Sequence, residues 1–163
     1  MKIKSLMTMT LATLAFVFGV CSCGSDDDEP EVAVAAQVAG TYTGNEVVFV
    51  MGEESSNETK AYEFVKASDV SADMTVPEIG MGMMTIPSFS VKNIPLTKNG
   101  NTVTGSLASY AGKVTNSSGD EKAYTVSNIA VVFSENNVAV TFSLKYGNMP
   151  MNMETTFTGT KQD

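Results

Sequence analysis

From residue 37 onward, apolar side chains recur at every second position in short runs, and turn chemistry separates the runs. That period belongs to strands with one buried face. Tyr62 and Phe64 share one face of a run over 60–66, and Phe89 and Val91 one face of a run over 87–94. Val138, Val140, Phe142, Leu144 and Tyr146 alternate cleanly. Further runs over 38–51, 70–76, 101–110, 113–116, 122–133 and 149–161 bring the predicted strands to eight or nine. Asn99-Gly100 predicts a tight type I′ hairpin turn, with positive φ at both central residues. In the run over 122–133, Tyr124 and Val126 have one parity, whereas Ile129, Val131 and Phe133 have the other. One slipped residue near Ser127-Asn128, a bulge, would reconcile them. No amphipathic helix of three turns stands out. Successive hairpins favour an up-and-down antiparallel meander, and at this strand count the sheet can close into a barrel. A two-sheet sandwich is the alternative. The stretch 76–87, with Pro77, Gly80, Gly82 and Pro87, suits a flap over a barrel mouth or a bulged edge segment.

The first residues follow a different pattern. Lys2 and Lys4 precede a sixteen-residue uncharged stretch, 5–20, and then Cys21-Ser22-Cys23-Gly24. The stretch is shorter than the roughly 20 apolar residues of a spanning helix, and its downstream flank is acidic. It reads as a lipoprotein signal peptide over 1–22, with Cys23 as the lipidated residue. Small residues at the cut favour Cys23 over Cys21, which follows Val20. Residues 23–36 then form a lipidated, acidic, flexible linker, because a run such as Asp26-Asp27-Asp28-Glu29 has no core to join. The folded domain is expected over 37–163.

Charge and composition narrow the function. Beyond residue 22 there are eight Lys and eighteen acids, a net charge of −10. That balance argues against nucleic acid and against electrostatic attachment to anionic lipid, so the lipid chains would be the membrane partner. The chain has no His, Arg or Trp, and its two Cys both fall at the signal. Ser-His-Asp and Cys-His catalysis and His or Cys zinc sites are therefore excluded. Glu53-Glu54 and Asp120-Glu121 fall in polar, turn-like stretches and read as solvated acids rather than a catalytic pair. Neither enzymatic activity nor a cofactor or metal is expected.

Methionine is the unusual residue. Met81, Met83 and Met84 form one cluster; Met149, Met151 and Met153 form another, at strand spacing with Phe157. Three uses fit: gap-filling core, an adaptable lining for an apolar ligand, and soft ligation of Cu(I). Tyr42, Phe142, Leu144, Met151, Met153 and Phe157 are expected to point inward from their strands.

The opening Val38-Ala39-Gly40-Thr41-Tyr42-Thr43-Gly44 resembles the first barrel strand of calycins, the lipocalin superfamily. There a Gly-x-Trp motif meets a basic residue near the end of the last strand; Tyr42 and Lys161 stand in the matching places. With its Cys-plus-acidic leader and its closing Phe157-Thr158-Gly159-Thr160-Lys161, the whole chain resembles the small calycin-like lipoproteins of Bacteroidota. The resemblance implies an all-β, up-and-down, calycin-like barrel of about eight strands. It also implies an address at the outer membrane and cell surface, where the acidic stretch resembles an export signal. A ligand, if bound, would be small and apolar, lined by Met83, Phe142, Leu144, Met151, Met153 and Phe157 in the lumen. The alternative is a surface-interaction module with a filled core and no ligand. Nothing in the sequence sets an oligomeric state.

Overall fold

The alternating runs form a closed antiparallel barrel of eight strands, in the order β1-β10-β9-β8-β7-β6-β3-β2. The computed structural model describes residues 32–82 and 84–163; the expected signal peptide, Cys23 and Met83 lie outside the described residues. After a one-turn helix α1 (Val34–Val38) come β1 (Gly40–Val50), β2 (Glu53–Ser68), β3 (Ser71–Val76), β4 (Ile79–Met81) and β5 (Met84–Ile86). β6 (Phe89–Asn99), β7 (Thr102–Thr115), β8 (Glu121–Ser134), β9 (Asn137–Tyr146) and β10 (Met153–Lys161) follow. Pairing of β1 with β10 closes the sheet and so removes its edges. The short β4–β5 hairpin is a separate ribbon, inserted between the paired strands β3 and β6.

One end of the barrel is closed by α1, which buries Ala35 and Val38. The Ala35 N–H donates to Asp69 O at 3.1 Å. Tyr42 lies opposite Lys161 across β1 and β10, as the resemblance implies for the aromatic and the base. Its hydroxyl donates to Val38 O at 3.0 Å, and the Lys161 ammonium donates to Gln37 O at 3.2 Å. Both residues thereby tie the last strand and the first to the helix. Gly40, at φ +142°, makes room for this, since a Cβ there would lie 2.8 Å from Lys161 Cε.

At the other end the hairpin is the flap. Ile79 and Ile86 pair across it, and both are fully buried. Their side chains join the hydrophobic core at that mouth.

Asn128 sits at φ +53°, where the β8–β9 register shifts between Ser127 and Ala130. This is the bulge that the parity switch requires. A second one, not read from the sequence, accompanies Asn93 at φ +57°, where the β3–β6 register slips. Asp73 secures it, accepting from the Asn93 N–H at 2.8 Å and pairing with Lys92 at 3.0 Å.

Four expectations need correction. The tight turn centres on Gly100 and Asn101, because Asn99 pairs with Thr102. Positive φ falls on Gly100 (+60°) and on neither Asn. The runs over 101–110 and 113–116 are one continuous strand, β7. Glu53 and Glu54 belong to β2, paired with Val50 and Phe49, with their side chains exposed. Finally, the last strand starts at Met153 rather than Met149. Pro150 has no N–H for a ladder, and Gly147 at φ +54° turns the chain away after β9.

The lumen is filled by side chains. Near α1, Phe133 packs on Tyr42 and Phe64 with ring centroids 5.6 and 4.9 Å away. Further along, Tyr62 stacks on Phe157 at 4.0 Å and 6°. Towards the flap, Phe89 contacts Tyr124 at 4.9 Å and Phe142 at 6.4 Å.

Candidate functional site

Of the residues read as a ligand lining, four come together. Phe142, Leu144, Met153 and Phe157 are all at most 2% exposed. They share the inner face of β9 and β10, where Leu144 pairs with Met153. They pack against one another and the aromatic core rather than around an open space. Met151 does not join them: it is half-buried in the bend before β10, off the strand that was to turn it inward. Met83 lies outside the described residues.

The two methionine clusters do converge, at the flap end. Met84 on β5 and Met149 after β9 flank a cleft of about 560 Å³, together with Tyr146, Gly147, Asn148 and the start of β8 at Glu121, Lys122 and Ala123. Met81 and Met149 are partly buried against the core. Two thioethers and an aromatic ring thus form a conformable apolar wall at the rim. Polar groups border it: Glu121 is held by Lys113 at 2.8 Å, and Lys122 stands 3.8 Å from Asp120. The Lys113 pair is exposed, and the hydrogen bond to Glu121 raises the pKa of the ammonium. A second cleft, about 470 Å³, lies on the outer wall over Thr43, Val132, Ala139 and Thr158. Among the described residues no cluster of three or more acidic side chains is placed to hold a metal.

The polar centre of the lumen was not foreseen. Glu46 points inward from β1 and is 1% exposed. Its Oε2 accepts a hydrogen bond of 2.5 Å from the Tyr62 hydroxyl. Glu58 lies directly opposite Glu46 across β1 and β2 and is itself held by Lys60 at 2.7 Å. Burial pushes the Glu46 carboxyl above its ordinary value; the Tyr62 hydrogen bond and the Lys60 charge oppose this, and Glu58 adds to it. Burial, then the adjoining Glu46, lifts the Tyr62 phenol well above its own. Tyr62 therefore stays a neutral donor, and Glu46 tends towards its neutral acid form. A signal did exist in the sequence. Glu46 shares the parity of Tyr42 and Val48, the inward face of the first strand, whereas Glu53, Glu54, Asp120 and Glu121 are all exposed.

Comparison with known proteins agrees with this architecture. A crystal structure from Bacteroides fragilis NCTC 9343, described as a "putative outer membrane protein", superposes with a TM-score of 0.63 at 19% identity. The match covers 80% of this chain and 53% of that one, so the chain spans about half the length of that protein. At this identity the likeness is one of fold. No curated relative matches the sequence. Residues 38–160 match the Calycin-like beta-barrel domain. With the eight-stranded closed barrel and the Tyr42–Lys161 pairing at its helix-capped end, the chain belongs to the calycin-like β-barrel family.

Proposed function

We propose that this protein is a lipid-anchored outer-membrane lipoprotein and a non-enzymatic binding module. Its apolar contact site is the rim cleft of Met84, Tyr146 and Met149 rather than the lumen. The observation that carries the reading is the contrast between the two spaces. The inward residues of β9 and β10 are buried in a packed core, whereas the rim offers about 560 Å³ walled by methionine and tyrosine. A cleft of that size falls in the range that accepts small organic ligands. The family and the outer-membrane description of the Bacteroides fragilis neighbour support the address. Cys23 with its acidic flank supports the anchor and display at the cell surface.

An environment-sensitive naphthalene probe tests the site. Met84→Glu and Met149→Glu should each weaken probe binding at least tenfold, while the melting temperature shifts little, because both side chains lie at the rim. Binding unchanged in both variants would rule the cleft out. The anchor is tested separately, by metabolic labelling with palmitate. Cys23→Ser should abolish the label and Cys21→Ser should leave it. Label lost in Cys21→Ser alone would transfer the lipid to that residue.

A further inference from the structure

Among the described residues, two buried polar atoms in the lumen have no hydrogen-bond partner. Glu46 Oε2 is satisfied by Tyr62, but Glu46 Oε1 and Thr155 Oγ1 are buried without a partner. Both residues are 1% exposed. Across β1 and β10, Glu46 faces Phe157 and Val48 faces Thr155, so Glu46 and Thr155 are diagonal neighbours on the inner face. Diagonal positions on paired strands are roughly 7–8 Å apart, within reach of a long side chain and one small bridging group. Leaving two such atoms unpaired in an apolar core is costly, and native interiors rarely do so without a guest.

We propose that a single internal water molecule sits in the lumen between Glu46 and Thr155 and hydrogen-bonds to both. The chemistry of the two partners selects the guest. Water can donate and accept, so it can accept from the Thr155 hydroxyl and donate to Glu46 Oε1, or accept a hydrogen bond from the O–H of the neutral acid. An apolar guest would leave both atoms unpaired. An ammonium guest would need the ionised carboxylate, which burial disfavours. Two polar partners are also the fewest that a buried water commonly uses. Tyr62, Glu46, guest and Thr155 would form one hydrogen-bonded chain through the middle of the barrel, between the Tyr62–Phe157 stack and the apolar side chains nearer the flap. The site is independent of the rim cleft, and either can exist without the other.

Water-selective nuclear Overhauser measurements on the purified protein in detergent, paired with native mass spectrometry of the same preparation, decide the matter. A long-lived water cross-peak at the Thr155 methyl and the Glu46 side chain identifies the guest as water. A retained organic mass with no such cross-peak, lost on Thr155→Val, would put a ligand in the lumen instead and overturn the proposal. Thr155→Ser should keep the water, because it keeps the hydroxyl. With water as guest, Thr155→Val should abolish the cross-peak at Glu46. Absence of the water cross-peak in the unmodified protein overturns the proposal, and that result does not depend on whether T155V folds. A guest kept at full occupancy in T155V overturns it as well.

Discussion

Glu46 sets a pH dependence that a packed apolar barrel would otherwise lack. Its carboxyl has an ordinary value of 4.5, and burial raises it in the folded protein. Between those two values the native state keeps a proton that the unfolded chain has released. Stability from this residue is thus complete below the unfolded value, falls as pH rises towards the native value, and is level beyond it. Glu46→Gln keeps the shape and an acceptor for Tyr62 while removing the titration. The variant should lose this fall, and its advantage over the parent should grow from pH 4 towards neutrality. Urea unfolding across that range measures it. Parallel curves for parent and variant would show that Glu46 ionises in the barrel as easily as in the unfolded chain.

Register shifts in four strand pairs help straight strands become a closed, twisted barrel, and two of them rest on an Asn with positive φ: Asn93 at +57° and Asn128 at +53°. Asn tolerates this region far better than a β-branched residue does. Asn128→Gly should therefore be nearly neutral, whereas Asn128→Val should cost about 1–2 kcal/mol, read from the denaturation midpoint at constant slope. Equal losses would mean that the side chain, not the backbone, holds the bulge. The bulge in β8 was legible because its apolar positions change parity in a long run. In β6 the switch was easy to miss: the predicted run ended at 94, so Ile94 alone showed the new parity that Leu96 continues. The meander was legible for the same reason as β8, since most strands have one wet face and one dry. The methionines misled at one point. Period two across Met149, Met151 and Met153 looks like a strand, but Pro150 and the turn at Gly147 prevent a ladder there. Neither the meeting of Met84 with Met149 nor the diagonal placement of Glu46 and Thr155 was legible. Both depend on which strands become neighbours and in what register, and no local pattern records that.

At the scale of the whole molecule, the distinguishing property is where space has been left. Closing eight strands leaves an interior just wide enough for side chains to fill or for one small ligand to enter. Here large side chains take it, and the Tyr62–Phe157 stack crosses the middle. Gly159 shows how closely the ring is fitted, because a Cβ there would come 2.5 Å from Phe157 Cζ. If aromatic side chains are what exclude a ligand, removing one should admit a guest. Phe157→Ala should cost about 3–5 kcal/mol, the range for emptying a buried aromatic site. It should also open a pocket beside Tyr62 that binds benzene or xenon, seen as a ligand-dependent rise in melting temperature. The parent should show no such rise from its lumen, and the Met84→Glu background removes any contribution from the rim. A benzene-dependent rise of equal size in Met84→Glu with and without the Phe157 change would mean that the lumen is already open. That outcome would return the ligand to the interior face of β9 and β10.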